Sequence, residues 1–210
     1  MSEINPLYLM AGLSILGLAP FFLMMVTSYV KIVVVTSLVR NALGVQQVPP
    51  AMVMNGLAII LSVFIMAPVA MDTADIVKTL PVPANPGPAD VIDLADRASP
   101  PLRRFLAANS DEKVTNMFMG TARRIWPAER HDMINKVPAF TISELTKAFQ
   151  IGFVLYLAFV AIDLIISNIL LAMGMMMVSP TTISLPFKLL LFVTLDGWLK
   201  ISQGLMLSYQ

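Results

Sequence analysis

The sequence predicts an all-α membrane protein made of two helical hairpins, with a polar, partly helical insert between them. Hydrophobic residues make up 57% of the chain and charged residues only 13%, against roughly 45–50% and about a quarter in soluble domains. The apolar residues lie in four long runs, whereas most of the charges are concentrated near the middle of the chain. Apolar runs of this length must face lipid or other hydrophobic surfaces.

The first hairpin is predicted from two apolar runs. The first run, Leu7–Val39, is longer than the roughly 20 residues that a helix needs to span a bilayer. Pro20 lies inside it and removes a backbone hydrogen bond, so we expect a kink or break near Ala19. The link Arg40–Pro50 ends in two prolines and separates this run from the second, Met52–Met71.

The middle of the chain has a different composition. Prolines and charges of both signs cluster between Asp72 and Lys136, which predicts a water-exposed insert. Leu80–Pro88 is rich in proline and predicts an extended linker, whereas Pro101–Trp126 has apolar residues at helical spacing. The chain is therefore divided into an N-terminal hydrophobic hairpin (1–71), an insert (72–137) and a C-terminal hydrophobic hairpin with a methionine-rich segment (138–210).

The second hairpin is predicted from the apolar runs Ile151–Val178 and Ile183–Met206. The segment Ser179–Pro186, which includes Pro180 and Pro186, is predicted to form the turn between them. Four spans would place both termini on the same side of the membrane.

The orientation follows from basic residues near the short turns. Arg40 follows the first run and Lys188 borders the predicted turn of the second hairpin. Since cytoplasmic loops carry an excess of lysine and arginine, both turns are expected in the cytoplasm and the insert in the periplasm.

Several classes of protein are disfavoured. The net charge of +1 with scattered basic residues is not typical of a nucleic-acid-binding protein. The chain has no cysteine, so it forms no disulfide and no thiolate metal site. Common catalytic motifs are missing, and a lone histidine, His131, in a charged loop is typical of a surface group. We therefore predict no enzyme, no cofactor and no metal.

Four ionisable residues lie in the second pair of apolar runs: Asp163, Lys188, Asp196 and Lys200. Each costs a few kcal/mol within a membrane unless it is paired or faces water. Asp196 and Lys200 have the spacing of an ion pair on one helix face, which favours a structural pair or an interface contact over transport. Asp163 has no basic residue within one helical turn, so its partner is expected on another helix or another subunit.

A methionine cluster follows the third apolar run. Met173, Met175, Met176 and Met177 surround Gly174 and precede Pro180. Methionine is flexible and polarizable and suits irregular or changing surfaces. Consecutive methionines would point about 100° apart on a helix, so a loop or a broken helix end is expected here. From the residues alone, a pore-lining ring and generic membrane apolarity are equally supported.

Four segments carry a family resemblance: Thr27–Pro50, Pro138–Gly152, Met173–Pro180 (MGMMMVSP) and Leu185–Trp198 (LPFKLLLFVTLDGW). Through them the chain resembles the FliP/SctR family, the core export-gate membrane proteins of type III secretion systems. The resemblance covers both hairpins and leaves out the insert and the extreme N-terminus. Flagellar members usually run longer, which favours the injectisome branch.

The resemblance implies a pore subunit of the export gate in the bacterial inner membrane. Five copies would assemble with the S and T subunits, with the U and V subunits nearby, amid membrane lipid, and would pass unfolded secreted proteins. Met175, Met176 and Met177 would form a gasket around the closed pore. It also implies bent hairpins, in agreement with Pro20, Pro180 and Pro186, so that hydropathy overstates true spanning. A proton-coupled transporter using Asp163 or Asp196 and a purely structural membrane scaffold are the alternatives.

Overall fold

The computed structural model describes residues 6–45, 48–81, 87–125 and 132–209. Throughout this part of the chain the regular elements are helices and no strand occurs. His131 and the centre of the predicted linker lie outside it. The helices, in chain order, are α1 (Pro6–Met25), α2 (Tyr29–Leu43), α3 (Ala51–Thr79), α4 (Pro88–Ala98), α5 (Pro100–Asn109), α6 (Glu112–Ile125), α7 (Asp132–Ala172), α8 (Pro180–Thr194) and α9 (Gly197–Leu207).

The first apolar run forms two helices, as predicted, but the predicted position of the break was wrong. Pro20 lies inside α1, which continues to Met25. The chain instead breaks at Val26–Ser28, where two neighbouring hydroxyl side chains can compete with the helical hydrogen bonds. There the Ser28 hydroxyl donates to Ser62 Oγ of α3 over 3.1 Å, and both residues are buried. A polar contact between helices therefore fixes the bend.

The main core is built around α2. Its buried side chains recur every three or four residues, which places them on one face of the helix. They pack with residues of α3, α7, α8 and α9, so α2 lies among the other hydrophobic helices. The members of this core are Ile32, Val35, Val39, Ala42, Leu43, Ala58, Ala148, Phe159, Phe192 and Leu205.

The two longest helices extend beyond the predicted apolar runs. α3 continues past residue 71 to Thr79, and α7 begins before residue 138, so both cross the predicted domain boundaries. With 41 residues, α7 is about 60 Å long, roughly twice the thickness of a bilayer core. Among the described residues, α3 and α7 are long and apolar enough to span a membrane, and α8 with α9 would form a third, bent span.

The insert is helical where it is described, in agreement with the prediction, and it packs onto α7. Leu80 is extended and α4 begins at Pro88. The Asp111 N–H between α5 and α6 donates to Ser143 Oγ over 2.8 Å, and Lys147 Nζ donates to the Asn109 carbonyl over 2.6 Å. Leu106 of α5 is fully buried against Phe140 of α7.

The predicted turn of the second hairpin was displaced. The turn comprises Met173–Ser179, Pro180 is the first residue of α8, and Pro186 lies inside α8. Proline suits a first helical position because its missing N–H has no helical partner there, so Pro180 starts the helix. The last apolar run is broken again at Leu195–Asp196, where α8 and α9 meet at 58°.

Candidate functional site

The methionine segment is displayed by a well-defined helix end. Gly174 has a positive φ of 74°, a backbone conformation that glycine adopts without steric cost. Its N–H donates to the Leu171 carbonyl, and the Met175 N–H donates to the Leu170 carbonyl, both over 3.0 Å. This pair of bonds is a Schellman motif that satisfies the last carbonyls of α7. The expected broken helix end is therefore present.

The methionine side chains after Gly174 become increasingly exposed along the turn. Met175 exposes 44% of its surface, Met176 81% and Met177 101%. The Met176 N–H donates back to the Gly174 carbonyl over 3.0 Å, so the backbone turns tightly beneath these side chains. Three adjacent thioethers are thus presented together at one end of the α7–α8 hairpin.

An ion pair closes the base of this hairpin. Lys188 Nζ of α8 lies 2.6 Å from Asp163 Oδ2 of α7, and Ser184 Oγ donates to the other carboxylate oxygen. Lys188 Nζ also donates to the Ala42 carbonyl at the end of α2 over 3.2 Å. The prediction that Asp163 takes a partner from another helix is confirmed. Because Lys188 is buried in this pair, its charge gives little support to the orientation argued from the sequence.

A polar cavity of about 380 Å³ lies beside this pair. Asp163 and Lys188 line it together with Thr181 and Thr182 of α8 and Asn41 of α2. Asp163 keeps 26% of its side chain exposed there, so water can reach the carboxylate from this side.

The predicted ion pair between Asp196 and Lys200 was wrong for a single chain. Asp196 is the N-cap of α9 with left-handed backbone angles, and its side chain does not cap the helix. The two residues are one helical turn apart, since the Lys200 N–H donates to the Asp196 carbonyl over 3.0 Å. The left-handed backbone angles of Asp196, however, give its side chain a direction different from that of a helical residue. Within the described residues neither side chain forms an ion pair, and both are exposed.

A second buried pair was missed by the sequence reasoning. Lys31 Nζ of α2 lies 3.2 Å from Glu144 Oε2 of α7, and the two side chains are 2% and 0% exposed. Lys147, one turn after Glu144, places its Nζ 3.3 Å from Glu144 Oε1. Both Lys31 and Glu144 lie within the segments that carry the family resemblance. An ionisable side chain in a hydrophobic protein indicates a need for a partner. Because the two residues are 113 positions apart, the sequence does not show that they are each other's partners.

The last residues of the chain complete this buried cluster. The Tyr209 hydroxyl donates to Glu144 Oε2, and Lys31 Nζ donates to Ser208 Oγ over 3.0 Å. Lys31 Nζ also lies 3.9 Å from the centre of the Tyr209 ring, within the range of a cation–π interaction. The same ring stacks on Phe105 of the insert with centroids 5.8 Å apart. Burial, together with the charge and hydrogen bond of Glu144, raises the pKa of Tyr209, so its phenol stays protonated.

The cluster therefore joins four parts of the protein: α2, α7, the insert and the C-terminal end. Groups of three or more side chains suited to hold a metal ion are not found in the described residues. The charges are instead satisfied by each other and by hydroxyl groups, which is the arrangement of a structural polar network.

The fold and these sites define a class: a helical membrane protein that presents an apolar methionine turn and is held together by buried ion pairs. Comparison with known proteins gives the family. Residues 12–205 match the FliP family. The chain is 51% identical to the Yop proteins translocation protein R of Yersinia pestis, covering 99% of this chain and 96% of that protein.

Other relatives agree. The chain is 48% identical to the virulence protein YscR of Salmonella typhimurium, over 92% of each chain. It is 47% identical to the hypersensitivity response secretion protein HrcR of Ralstonia nicotianae, over 93% of each chain. The chain belongs to the FliP family, in its type III secretion branch of the injectisome kind. It is a component of the type III secretion export apparatus. Its family consists of structural components of the secretion apparatus and is not a family of known enzymes.

Proposed function

We propose that this chain is a pore-forming subunit of the type III secretion export gate and passes unfolded proteins across the bacterial inner membrane. In this proposal several copies, five by resemblance to the family, assemble with the S, T, U and V subunits of the apparatus. The observation that carries the proposal is the turn after Gly174, where Met176 and Met177 project from the chain with little intramolecular contact and Met175 is partly exposed beside them.

The turn has the properties that a deformable seal requires. A ring of such turns from several copies would bring unbranched thioether side chains together, and these can repack around objects of different shape. The backbone beneath them is held by the Schellman bonds of α7 and by Pro180 at the start of α8. The Asp163–Lys188 pair fixes the two helices relative to each other. Flexible side chains on a rigid hairpin can therefore move aside for a passing polypeptide and then close the pore again.

The proposal also assigns the helices to the membrane and the insert to one side of it. The helices α3 and α7 and the bent pair α8–α9 supply the apolar surface that lipid or neighbouring subunits would cover. The insert, α4–α6, would lie on the periplasmic side, where it rests against the N-terminal half of α7.

The test replaces Met175, Met176 and Met177 together by alanine in the complete export apparatus. The expected result is a membrane that leaks small ions and solutes while the complex still assembles, because the shorter side chains leave the closed pore open. A matched control replaces Met10, Met52 and Met71, which are exposed on helices, and should leave the membrane tight. An unchanged solute barrier in correctly assembled gasket variants would overturn the proposal.

A further inference from the structure

We propose that Asp196 of one copy forms an ion pair with Lys200 of a neighbouring copy, so that a repeated contact at the α8–α9 corner links the copies into a ring. The inference rests on the proposed function, since it requires several copies in one complex. It adds the residues that hold those copies together, and it accounts for two charges that have no partner within the described chain.

Asp196 is placed at an exposed corner. It is the only non-glycine residue with a positive φ, 52°, in the part of the chain that the structure describes. Such a conformation costs energy for most residues but is tolerated by aspartate and asparagine. The carboxylate does not cap α9, and Leu195 and Leu199 beside it expose 51% and 66% of their surfaces. An acidic group therefore projects from an otherwise apolar corner.

Lys200 lies at the edge of an apolar groove of about 580 Å³ between α2, α7 and α9. The polar side chains that line this groove are Lys200 and Gln150, and the remaining wall is apolar, with Val35, Val154 and Gly204 among its residues. No carboxylate of the described residues lies within ion-pair distance of Lys200. The groove thus suits an apolar surface that carries one negative charge.

The corner around Asp196 is such a surface, since it is apolar and carries one negative charge. The charges also favour a second copy of the chain, over other molecules, as the occupant of the groove. Both side chains are exposed beside apolar surface in the single chain. Once a neighbouring surface covers them, a lone charge would cost a few kcal/mol, so each would then need a partner. A lipid phosphate would satisfy Lys200 but would leave Asp196 unpaired. A head-to-tail contact between identical chains uses one acid and one base from each copy, and a closed ring of such contacts leaves neither charge unpaired.

Cysteine cross-linking tests the contact directly, since the natural chain has no cysteine. Two differently tagged forms, one with Asp196→Cys and one with Lys200→Cys, are expressed together with the other gate subunits. A short thiol cross-linker is expected to join one tag to the other. A matched pair near the C-terminal end of α3, Asp75→Cys with Lys78→Cys, both at exposed positions, should not be joined between copies. Absence of the mixed product, in complexes that native mass spectrometry shows to hold several copies, would overturn the inference.

Charge reversal gives a second, independent measurement. Asp196→Asn, which keeps the left-handed preference, and Lys200→Asp are each expected to lower the yield of multi-copy complexes by roughly tenfold or more. Asp196→Lys combined with Lys200→Asp should recover part of that yield, because the opposite charges face each other again although lysine is strained in the left-handed conformation; a folding defect would add to the loss instead. Failure of the double variant to recover would contradict the pairing. A wild-type complex with a single copy would instead overturn the proposed oligomer, so the two failures are distinguishable.

Discussion

Lys31 Nζ lies 3.2 Å from Glu144 Oε2 although the two residues are 113 positions apart, and both side chains are almost completely excluded from solvent. The pair connects α2, in the centre of the main core, to α7, which carries the methionine turn at its far end. A buried ion pair of this kind is weak support for stability by itself, but breaking it is expensive because one charge is left without a partner.

We therefore expect Glu144→Gln to destabilise the protein by about 3–5 kcal/mol. It would leave the buried Lys31 without an opposite charge, with the neutral amide, the Ser208 hydroxyl and the Tyr209 ring as its polar contacts. Lys31→Met should cost less, since Glu144 would keep Lys147 nearby. Replacing Lys31 and Glu144 together by methionine should recover part of the loss. The measurement is the free energy of unfolding of the purified protein in detergent.

The exposed pair Lys78–Asp75, with side chains 75% and 74% exposed, provides the control. Lys78→Met should leave the unfolding transition nearly unchanged, because exposed ion pairs contribute little. Equal losses for Glu144→Gln and Lys78→Met would show that the buried cluster has no special role.

The contacts of Tyr209 predict a graded response at the C-terminal end. Tyr209→Phe removes the hydrogen bond to Glu144 but keeps the stacking on Phe105, and should destabilise by about 1–3 kcal/mol. Tyr209→Ala also removes the ring and its cation–π contact with Lys31, so it should destabilise further. Thermal unfolding of both variants measures the order. As a control, Tyr156→Phe, at a tyrosine that is 43% exposed, should change the unfolding temperature little. Equal unfolding temperatures for Tyr209→Phe and Tyr209→Ala would refute the role of the ring.

Much of the fold was predictable from the sequence because apolar run length is a strong signal for helices. The four apolar segments, the helical insert and the broken helix at the methionines were found in this way. Helix ends were less predictable. Pro20 and Pro186 are accommodated inside helices, since one lost hydrogen bond need not end a helix that neighbouring helices support.

The buried pairs could be predicted only in part. Asp163 needed a partner from elsewhere, and one was found on α8. Lys31 resembled an isolated polar interruption and Glu144 a residue that pairs with Lys147 on its own helix. Sequence spacing reports neighbours along one helix and not contacts between distant helices. The Asp196–Lys200 spacing was misleading for another reason: the prediction assumed helical backbone angles at both residues, whereas Asp196 is an N-cap with left-handed angles.

The Asp163–Lys188 pair predicts a coupling between stability and secretion. Asp163→Asn leaves Lys188 buried against an uncharged partner, so it should both destabilise the hairpin and reduce export by the complete apparatus. The exchange Asp163→Lys with Lys188→Asp should recover part of the stability and part of the export, since the two opposite charges still face one another. The measurements are thermal unfolding in detergent and secretion of a reporter protein. If Asp163→Asn abolished export without any change in unfolding, a proton-relay role would be favoured over the structural one.

Gly152 lies where α7 packs closely against α2. A Cβ added there would lie 2.2 Å from Leu38 Cδ1 and 3.0 Å from Leu38 Cβ, so the side chain cannot avoid the clash by a small rotation alone. Gly152→Ala should therefore destabilise the protein by about 1–3 kcal/mol through overpacking, as measured by unfolding in detergent.

Gly120→Ala is the control: it lies in α6 with no heavy atom within 4 Å of the added Cβ, and should be neutral or stabilise by roughly 0.5–1 kcal/mol. Leu38→Ala combined with Gly152→Ala should recover part of the loss, since it removes the 2.2 Å contact with Cδ1 but keeps the 3.0 Å contact with Cβ. If Gly152→Ala were as benign as Gly120→Ala, the two helices would not pack as closely as described.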